Sequence, residues 1–507
     1  MGAGASEENK GDEFSGFLER WNALQTALTL FDWDNETLAP PEAADRTAKV
    51  VGTLSAAYQE LLVKEETGKL LEKEKKKEGL SEIQRAVLRR LEKEREKLSV
   101  IPPDEYRRFS ELTAVSVSKW SQAKKSGDFK IFAPVLSEIV DTRKRFASYR
   151  KKEGEKLYDI LLSDYEEGFT MEILDGFFDQ VKAEVVPLVK AVAEKSKKEP
   201  VDSGFLFQPY DIKKQRSWNR WLSAYLGFDF SRGVFAESEH PFTTSLHKDD
   251  VRITTHYYED NLESAIFSTI HETGHAIYEQ GNGDEVTQTP VMGGTCGVHE
   301  SQSRFYENIL GRSKAFWEPI YGRLQDQFPE QLKDVSLNQF LRAINRAEPG
   351  LIRTEADELT YCLHIIVRYE LEKKLIDGSL SVEQLPEEWE RLYEEYLGLK
   401  PGSSTEGVLQ DIHWAMGEFG YFPSYALGNA MASQIYHQMS KELDVESLLK
   451  SGGLAQITKY LNQHIHKFGA ARKMDEVLRD MTGEPFNPHY YIAYLKHKYS
   501  ALYGLEL

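Results

Sequence analysis

Apolar residues recur at three- and four-residue spacing along nearly the whole chain, the period of helices with one buried face. The stretch "FLERWNALQTALTLFDWD" carries that pattern and predicts a helix that stops before Pro40 and Pro41, since proline cannot continue one. Residues 64–98 are dense in both charge signs, and the interleaved glutamates among the lysines predict a solvated helical face, not a nucleic-acid patch. Further helical patterns cover "FAPVLSEIVDTRKRFASYRKKEG", "TMEILDGFFDQVKAEVVPLVKAVAEKS" and most of the last third. One stretch breaks the rule. "HPFTTSLHKDDVRITTHYYEDN" alternates from Val251 to Tyr257 around a turn-like "HKDD" and predicts a short β-hairpin. Alternation places Asp250, Arg252 and Thr254 on one strand face and Val251 and Ile253 on the other. With no internal repeat, low-complexity linker or evident boundary, the expectation is a mostly α fold with one large helical domain over residues 13–507.

Composition narrows the class. The chain has 507 residues, 40% hydrophobic and 29% charged, enough to bury a large core. A net charge of −19 and a pI near 5.3 argue against nucleic acid or an anionic membrane as partner. Two cysteines, Cys296 and Cys362, make no disulfide framework and favour a reducing, cytoplasmic location. No apolar run reaches the length of a membrane span. The start, "MGAGASEENKGDEF", lacks the basic and apolar regions of a secretory signal. Gly2 and Ser6 match the M-G-x-x-x-S acylation pattern, but acidic neighbours offer no second anchor, so residues 1–12 read as a flexible tail.

Candidate chemistry follows the hairpin directly. "DNLESAIFSTIHETGHAIYEQG" reads as one helix, with Asp260 and Glu263 as a capping box and Gly281 as its stop. Residues four apart share a helix face, so His271 and His275 can chelate one ion. Glu272, one residue along, suits a base acting on water at that ion. A catalytic zinc wants a third protein ligand and an open position. "GGTCGVHESQSRFYENILG" offers Glu300 near the start of a second helix, the gluzincin arrangement, with His299 as the rival. The downstream H-x-x-G-x-x-H of metzincins is absent, which favours Glu300.

These residues, with "FDWDNETLAPPEAADRT", "HPF" (240–242), "DVRIT" (250–254), "HETGH", "HESQ" (299–302), "IRTEAD" (352–357), "GVLQDIHW" (407–414) and "GYFP" (420–423), resemble the carboxypeptidase Taq family of zinc metallocarboxypeptidases over nearly the whole chain. The resemblance implies one zinc ion per chain, replaceable by cobalt, held by His271, His275 and Glu300, with Glu272 as catalytic base. It also implies a neurolysin-like helical fold with a deep cleft, and a homodimer.

An enzyme that removes C-terminal residues must hold the free α-carboxylate of its peptide substrate, and a guanidinium does so bidentately. Arg353, placed just before the predicted helix "TEADELTYCLHIIVRYELEKKL", is the best candidate; its ordinary alternative is a pair with Asp357. Tyr421 could bond the same carboxylate or the developing oxyanion. His240 and His413 could do likewise. Asp250 and Arg252 shape the strand beside the substrate or orient the site, while Trp414 and Phe422 read as core or cleft wall. The expected activity is removal of C-terminal residues with broad specificity. The alternatives are an oligoendopeptidase on a similar scaffold, which needs no carboxylate clamp, and a catalytically silent helical scaffold.

Overall fold

The computed structural model describes residues 13–506. The expected tail at residues 1–12, with Gly2 and Ser6, lies outside the described residues. The protein is 67% helical, as the periodicity predicts. The N-terminal helices are α1 (Glu13–Thr37), α2 (Ala44–Val63), α3 (Glu65–Lys75), α4 (Glu82–Ser99) and α5 (Pro103–Ser126). Next come α6 (Ala133–Arg150), α7 (Leu157–Leu162), α8 (Met171–Lys198) and α9 (Ile212–Leu226). After the sheet follow α10 (Leu262–Gln280) and α11 (Cys296–Arg304), then four short helices, α12 (Lys314–Trp317), α13 (Tyr321–Gln327), α14 (Pro329–Leu332) and α15 (Leu337–Ile344). The last are α16 (Tyr361–Asp377), α17 (Leu385–Leu397), α18 (Pro423–Glu442), α19 (Val445–Lys450), α20 (Leu454–His464), α21 (Met474–Thr482) and α22 (His489–Tyr503).

Helix α1 ends three residues before Pro40, as expected. The charge-rich segment forms two helices: α3 ends at Lys75, Gly79 follows with a φ of 76°, and α4 starts after Ser81, which forms a capping box with Gln84. The N-terminal helices have their own apolar cluster, including Trp21, Leu62, Leu71 and Leu91, which closes against Val286, Val291 and Ala471. The main core is separate and runs from Ala123 in α5 to Tyr503 in α22. Between the N-terminal helices and the sheet lies a cavity of about 970 Å³, walled by Trp21, Tyr58, Arg90 and Lys97 on one side and by Ser245 and Leu246 on the other.

The predicted hairpin is present as β2 (Thr243–His247) and β3 (Asp250–Thr255), antiparallel, with a register shift between Ser245 and His247. A third strand, β1 (Gly233–Glu237), pairs in parallel with β3, so the sheet order is β1-β3-β2. Five residues reading "GVFAE" carry too little alternation to announce it. Val251 and Ile253 are fully buried against Phe228 and Ala276, which seats the sheet on α10. On the other face Asp250 takes the guanidinium of Arg252 bidentately, at 2.8 and 2.9 Å. Thr254, on the same face as Asp250 and Arg252, turns inward. It is fully buried, sharing a 2.6 Å hydrogen bond with Ser238 and accepting one from the Phe242 amide.

Candidate metal centre and substrate site

Helix α10 starts where Asn261, not the expected Asp260–Glu263 box, accepts a hydrogen bond from the Ser264 amide. Glu263 turns instead to Arg346, 2.7 Å away. At the other end Gly281 does stop the helix, in ordinary right-handed geometry, against Asn462 and His466, which leave no room for a Cβ. One turn apart on this helix, the rings of His271 and His275 lie with centroids 4.8 Å apart. Glu272 is buried beside them, and Thr243 of β2 donates to its Oε2 at 2.6 Å. The hairpin therefore touches the candidate base directly.

Glu300 arrives from α11, which is wedged between α10 and α18. Two glycines permit that approach. A Cβ on Gly274, inside the H-E-x-x-H motif, would lie 2.8 Å from Ser303 Cα, and one on Gly428 would lie 2.5 Å from Glu300 Cγ. Helix α11 begins at Thr295, whose hydroxyl donates to the buried Glu166 at 2.7 Å, and Glu166 also accepts the Gly297 amide. It runs on into a π-helical turn over Phe305–Leu310, a feature frequent at functional sites. Glu300 Oε2 then faces the Nε2 atoms of His271 and His275 at 3.6 and 3.7 Å. One ligand atom from each of the three residues falls within 4.8 Å of the others, a separation that fits a single ion.

The surroundings fix which atoms are available. Glu307 accepts from His271 Nδ1 at 2.8 Å, and Glu279 accepts from His299 Nε2 at 2.6 Å. With Nε2 protonated, His299 presents a bare Nδ1 to the Nδ1–H of His275, 3.2 Å away. Both candidate ligands thus keep an Nε2 lone pair free for a metal, the carboxylate-to-histidine support usual around one. His299, the rival third ligand, has both ring nitrogens committed to this chain of bonds. Arg304 braces the carboxylates, 2.7 Å from Glu300 Oε1 and 2.8 Å from Glu307 Oε2. The charge states follow from these contacts. Burial tends to raise Glu300, but the Arg304 guanidinium outweighs it and holds the carboxyl below its ordinary value. Burial pushes Glu272 up, against the opposing pull of the Thr243 hydrogen bond. Burial pushes His275 far below its ordinary value.

Arg353 departs from its expected setting. Helix α16 does not begin until Tyr361, and Asp357 organises the turn that leads into it, accepting from the Leu359 and Thr360 amides. Arg353 therefore neither sits at that helix terminus nor pairs with Asp357. It lies in a 3₁₀ turn (Arg353–Glu355) and bonds Asp411 Oδ1 through Nε and Nη2 at 2.9 and 2.8 Å. Asp411 Oδ2 is held by Arg368 at 2.6 Å, and Arg353 Nη1 reaches the Tyr361 hydroxyl at 3.3 Å. Tyr361 connects the two halves of the site, since the Arg304 guanidinium stacks 4.7 Å from its ring centre.

Tyr421 and His413 gather on the same side. Their ring centroids are 5.3 Å apart, and Tyr421 meets Tyr165 edge-on at 5.1 Å. His413 Nδ1 is buried with no hydrogen-bond partner among the described residues, and burial, with Arg353 and Arg368 nearby, pushes its pKa down to about 4 despite Asp411. It is a neutral ring. His240 is exposed, and its engaged group is the carbonyl, which accepts from Ser238. Asp250 and Arg252 bond each other, with Arg252 5.7 Å from the centre of the Trp33 ring on α1. Trp414 and Phe422 are buried, as core residues should be. Sequence reading missed Thr243, Glu279, Arg304, Glu307 and Asp411. Arg304 and Glu307 stand four and seven residues after Glu300, on its helical face, and that spacing was a usable signal.

The family model described as carboxypeptidase Taq (M32) metallopeptidase matches residues 13–499. The chain belongs to this family. It is accordingly a metallocarboxypeptidase, a hydrolase acting on C-terminal peptide bonds. Carboxypeptidase 1 of Bacillus subtilis (strain 168) is 40% identical over 496 residues, covering 97% of this chain and 98% of that protein. Thermostable carboxypeptidase 1 of Pyrococcus furiosus is 36% identical over 480 residues, covering 94% and 96%. The crystal structure of the M32 carboxypeptidase from Deinococcus radiodurans R1 superimposes with a TM-score of 0.93 at 34% identity, covering 97% and 99%. Membership brings a metal ion and peptide substrates, and the mostly helical fold with its small sheet is that of the M32 carboxypeptidases.

Proposed function

We propose that the protein is a zinc-dependent carboxypeptidase of broad C-terminal specificity, with His271 Nε2, His275 Nε2 and Glu300 holding one ion and Glu272 as general base. Support comes from one arrangement: three ligand atoms within 4.8 Å, two of them imidazole nitrogens whose opposite ring atoms are already engaged, beside a buried carboxylate. Imidazole and carboxylate donors in a three-residue set suit zinc with an open position. When bound, the ion supplies Lewis acidity toward the scissile carbonyl and lowers the pKa of a water. Glu272 receives the proton from that water and passes it to the leaving amine. Its raised pKa makes the carboxylate a stronger base for taking that proton, and the bond from Thr243 to Oε2 fixes the carboxylate for Oε1 to act.

The substrate carboxylate is assigned to Arg353. Of its five N–H donors three are occupied by Asp411 and Tyr361, leaving one on each terminal nitrogen, the pair that grips a carboxylate end-on. Arg353, Arg368 and Asp411 sum to one positive charge in a buried pocket, which an incoming carboxylate neutralises. His413 and Tyr421 complete the clamp. The aromatic wall of Tyr165, Tyr421 and Tyr425 offers shape without charge and supports breadth for the departing side chain.

The test is metal analysis joined to turnover. Wild type should hold about one zinc per chain, and Glu272→Gln should keep it while losing roughly 10²–10⁴-fold in kcat. His271→Ala, His275→Ala and Glu300→Ala should lose the ion. Retention of metal by Glu300→Ala, or near-normal turnover by Glu272→Gln, refutes the assignment.

A further inference from the structure

The segment from Gly407 to Phe422, which carries Asp411, His413 and Tyr421, has no helix or strand of its own. Something else must hold it. Helix α16 does so with two side chains one turn apart. Arg368 takes Asp411 and Gln410, and Glu372, fully buried, takes the rest. Glu372 Oε1 accepts from Trp414 Nε1 at 2.7 Å, while Oε2 accepts from the Gly420 amide at 2.8 Å and from the Tyr158 hydroxyl of α7 at 2.6 Å. Trp414 follows His413 directly, and Gly420 directly precedes Tyr421. The loop is also pressed onto α7 here. Gly420 has a φ of 90°, and a Cβ there would lie 2.8 Å from the Leu161 carbonyl carbon.

We infer that Glu372 is a positioning residue for substrate recognition: its one carboxylate clamps the neighbours of both His413 and Tyr421 and so sets their spacing for the peptide's C-terminal carboxylate. The inference rests on the proposed role of His413 and Tyr421 in holding that carboxylate. Each oxygen has a separate duty. Losing acceptor capacity at one of them frees one side of the loop while the other stays pinned. An isosteric glutamine does this, because its amide nitrogen cannot accept from Trp414 or from Gly420 and Tyr158. Tyr158 serves as the contrast, since it ties Glu372 to α7 and not to the loop. A core buttress without a recognition role would make Glu372→Gln and Tyr158→Phe equivalent in everything but stability.

The experiment measures kcat and KM for a free-acid peptide and its C-terminal amide on wild type, Glu372→Gln and Tyr158→Phe, alongside melting temperatures. Glu372→Gln should raise KM for the free acid about tenfold, change kcat by less than about threefold, and shrink the acid-to-amide preference by a similar factor. Tyr158→Phe should lower the melting temperature while leaving KM within about twofold. If Glu372→Gln does not fold, Trp414→Phe, which removes the Nε1 donor to Oε1, carries the same expectation. Equal KM for wild type and the folded variant overturns the positioning role. His413→Gln and Tyr421→Phe separate the two levels. If neither alters the acid-to-amide preference, the clamp reading fails; if they alter it and Glu372→Gln does not, only the inference about Glu372 fails.

Discussion

Amidation of a good peptide's C-terminus should lower kcat/KM about 100-fold, and Arg353 should account for most of it. The estimate comes from the donor count. Two N–H groups of Arg353 are left for substrate, and a hydrogen bond to a charged partner contributes about 1.5–3 kcal/mol. The lower figure for two bonds totals about 3 kcal/mol, or roughly 100-fold at about 1.4 kcal/mol per decade. An amide keeps the size but brings no charge to a pocket that carries one excess positive charge. Arg353→Ala should therefore cost the free acid about as much as amidation does, and the amide less than about fivefold. The fold should survive the change, because Asp411 keeps its bonds to Arg368 at 2.7 and 2.6 Å and is not left as a lone buried charge. Initial rates for acid and amide on both enzymes, read by mass spectrometry, give the coupling as a double-mutant cycle. Cleavage of the amide by wild type within about threefold of the acid, or undiminished discrimination by Arg353→Ala, would refute the clamp.

Glu307→Gln should weaken metal binding about 10–100-fold, because Glu307 orients His271 through Nδ1; a competitive chelator titration reads this, and unchanged affinity removes the residue from that role. Gly428→Ala should cost about 1–3 kcal/mol of stability and lower the bound metal, since the new methyl meets Glu300 Cγ at 2.5 Å and the Glu300 carbonyl carbon at 2.9 Å; full metal content at unchanged melting temperature contradicts it. Burial raises Glu372 from 4.5 to about 7, with Tyr158, Gly420 and Trp414 pulling the other way. A raised folded-state pKa gives stability that is whole below pH 4.5 and lost as pH rises through 7, about 3 kcal/mol at roughly 1.4 kcal/mol per unit. Denaturant titrations from pH 4.5 to 8 should show wild type losing that much relative to Glu372→Gln, and a constant difference shows that Glu372 does not titrate there.

Local spacing alone determined the parts of the site that lie on one element. His271 and His275 share a face because a helix returns every 3.6 residues, and Val251 and Ile253 share one because a strand alternates, so both were legible in sequence. The helical class, the hairpin and the stop at Pro40–Pro41 were legible for the same reason. Ordered motifs also placed Glu300, Arg353, His413 and Tyr421 among the candidates. What they bond was decided only in three dimensions. Arg353 pairs with Asp411, 58 residues away, and not with Asp357, whose carboxylate is taken up by the Leu359 and Thr360 amides in the turn before α16. Both ring nitrogens of His299 are engaged by Glu279 and His275, which reach it across the α10–α11 contact. That contact exists because Gly274 lets α10 approach the α11 backbone where a side chain would hold them apart, as Gly428 does for α18 on the other side of α11. Thr243 and Glu372 carried no local pattern at all, since a hydroxyl or carboxylate acquires its partners from whatever the packed helices and strands bring within 3 Å.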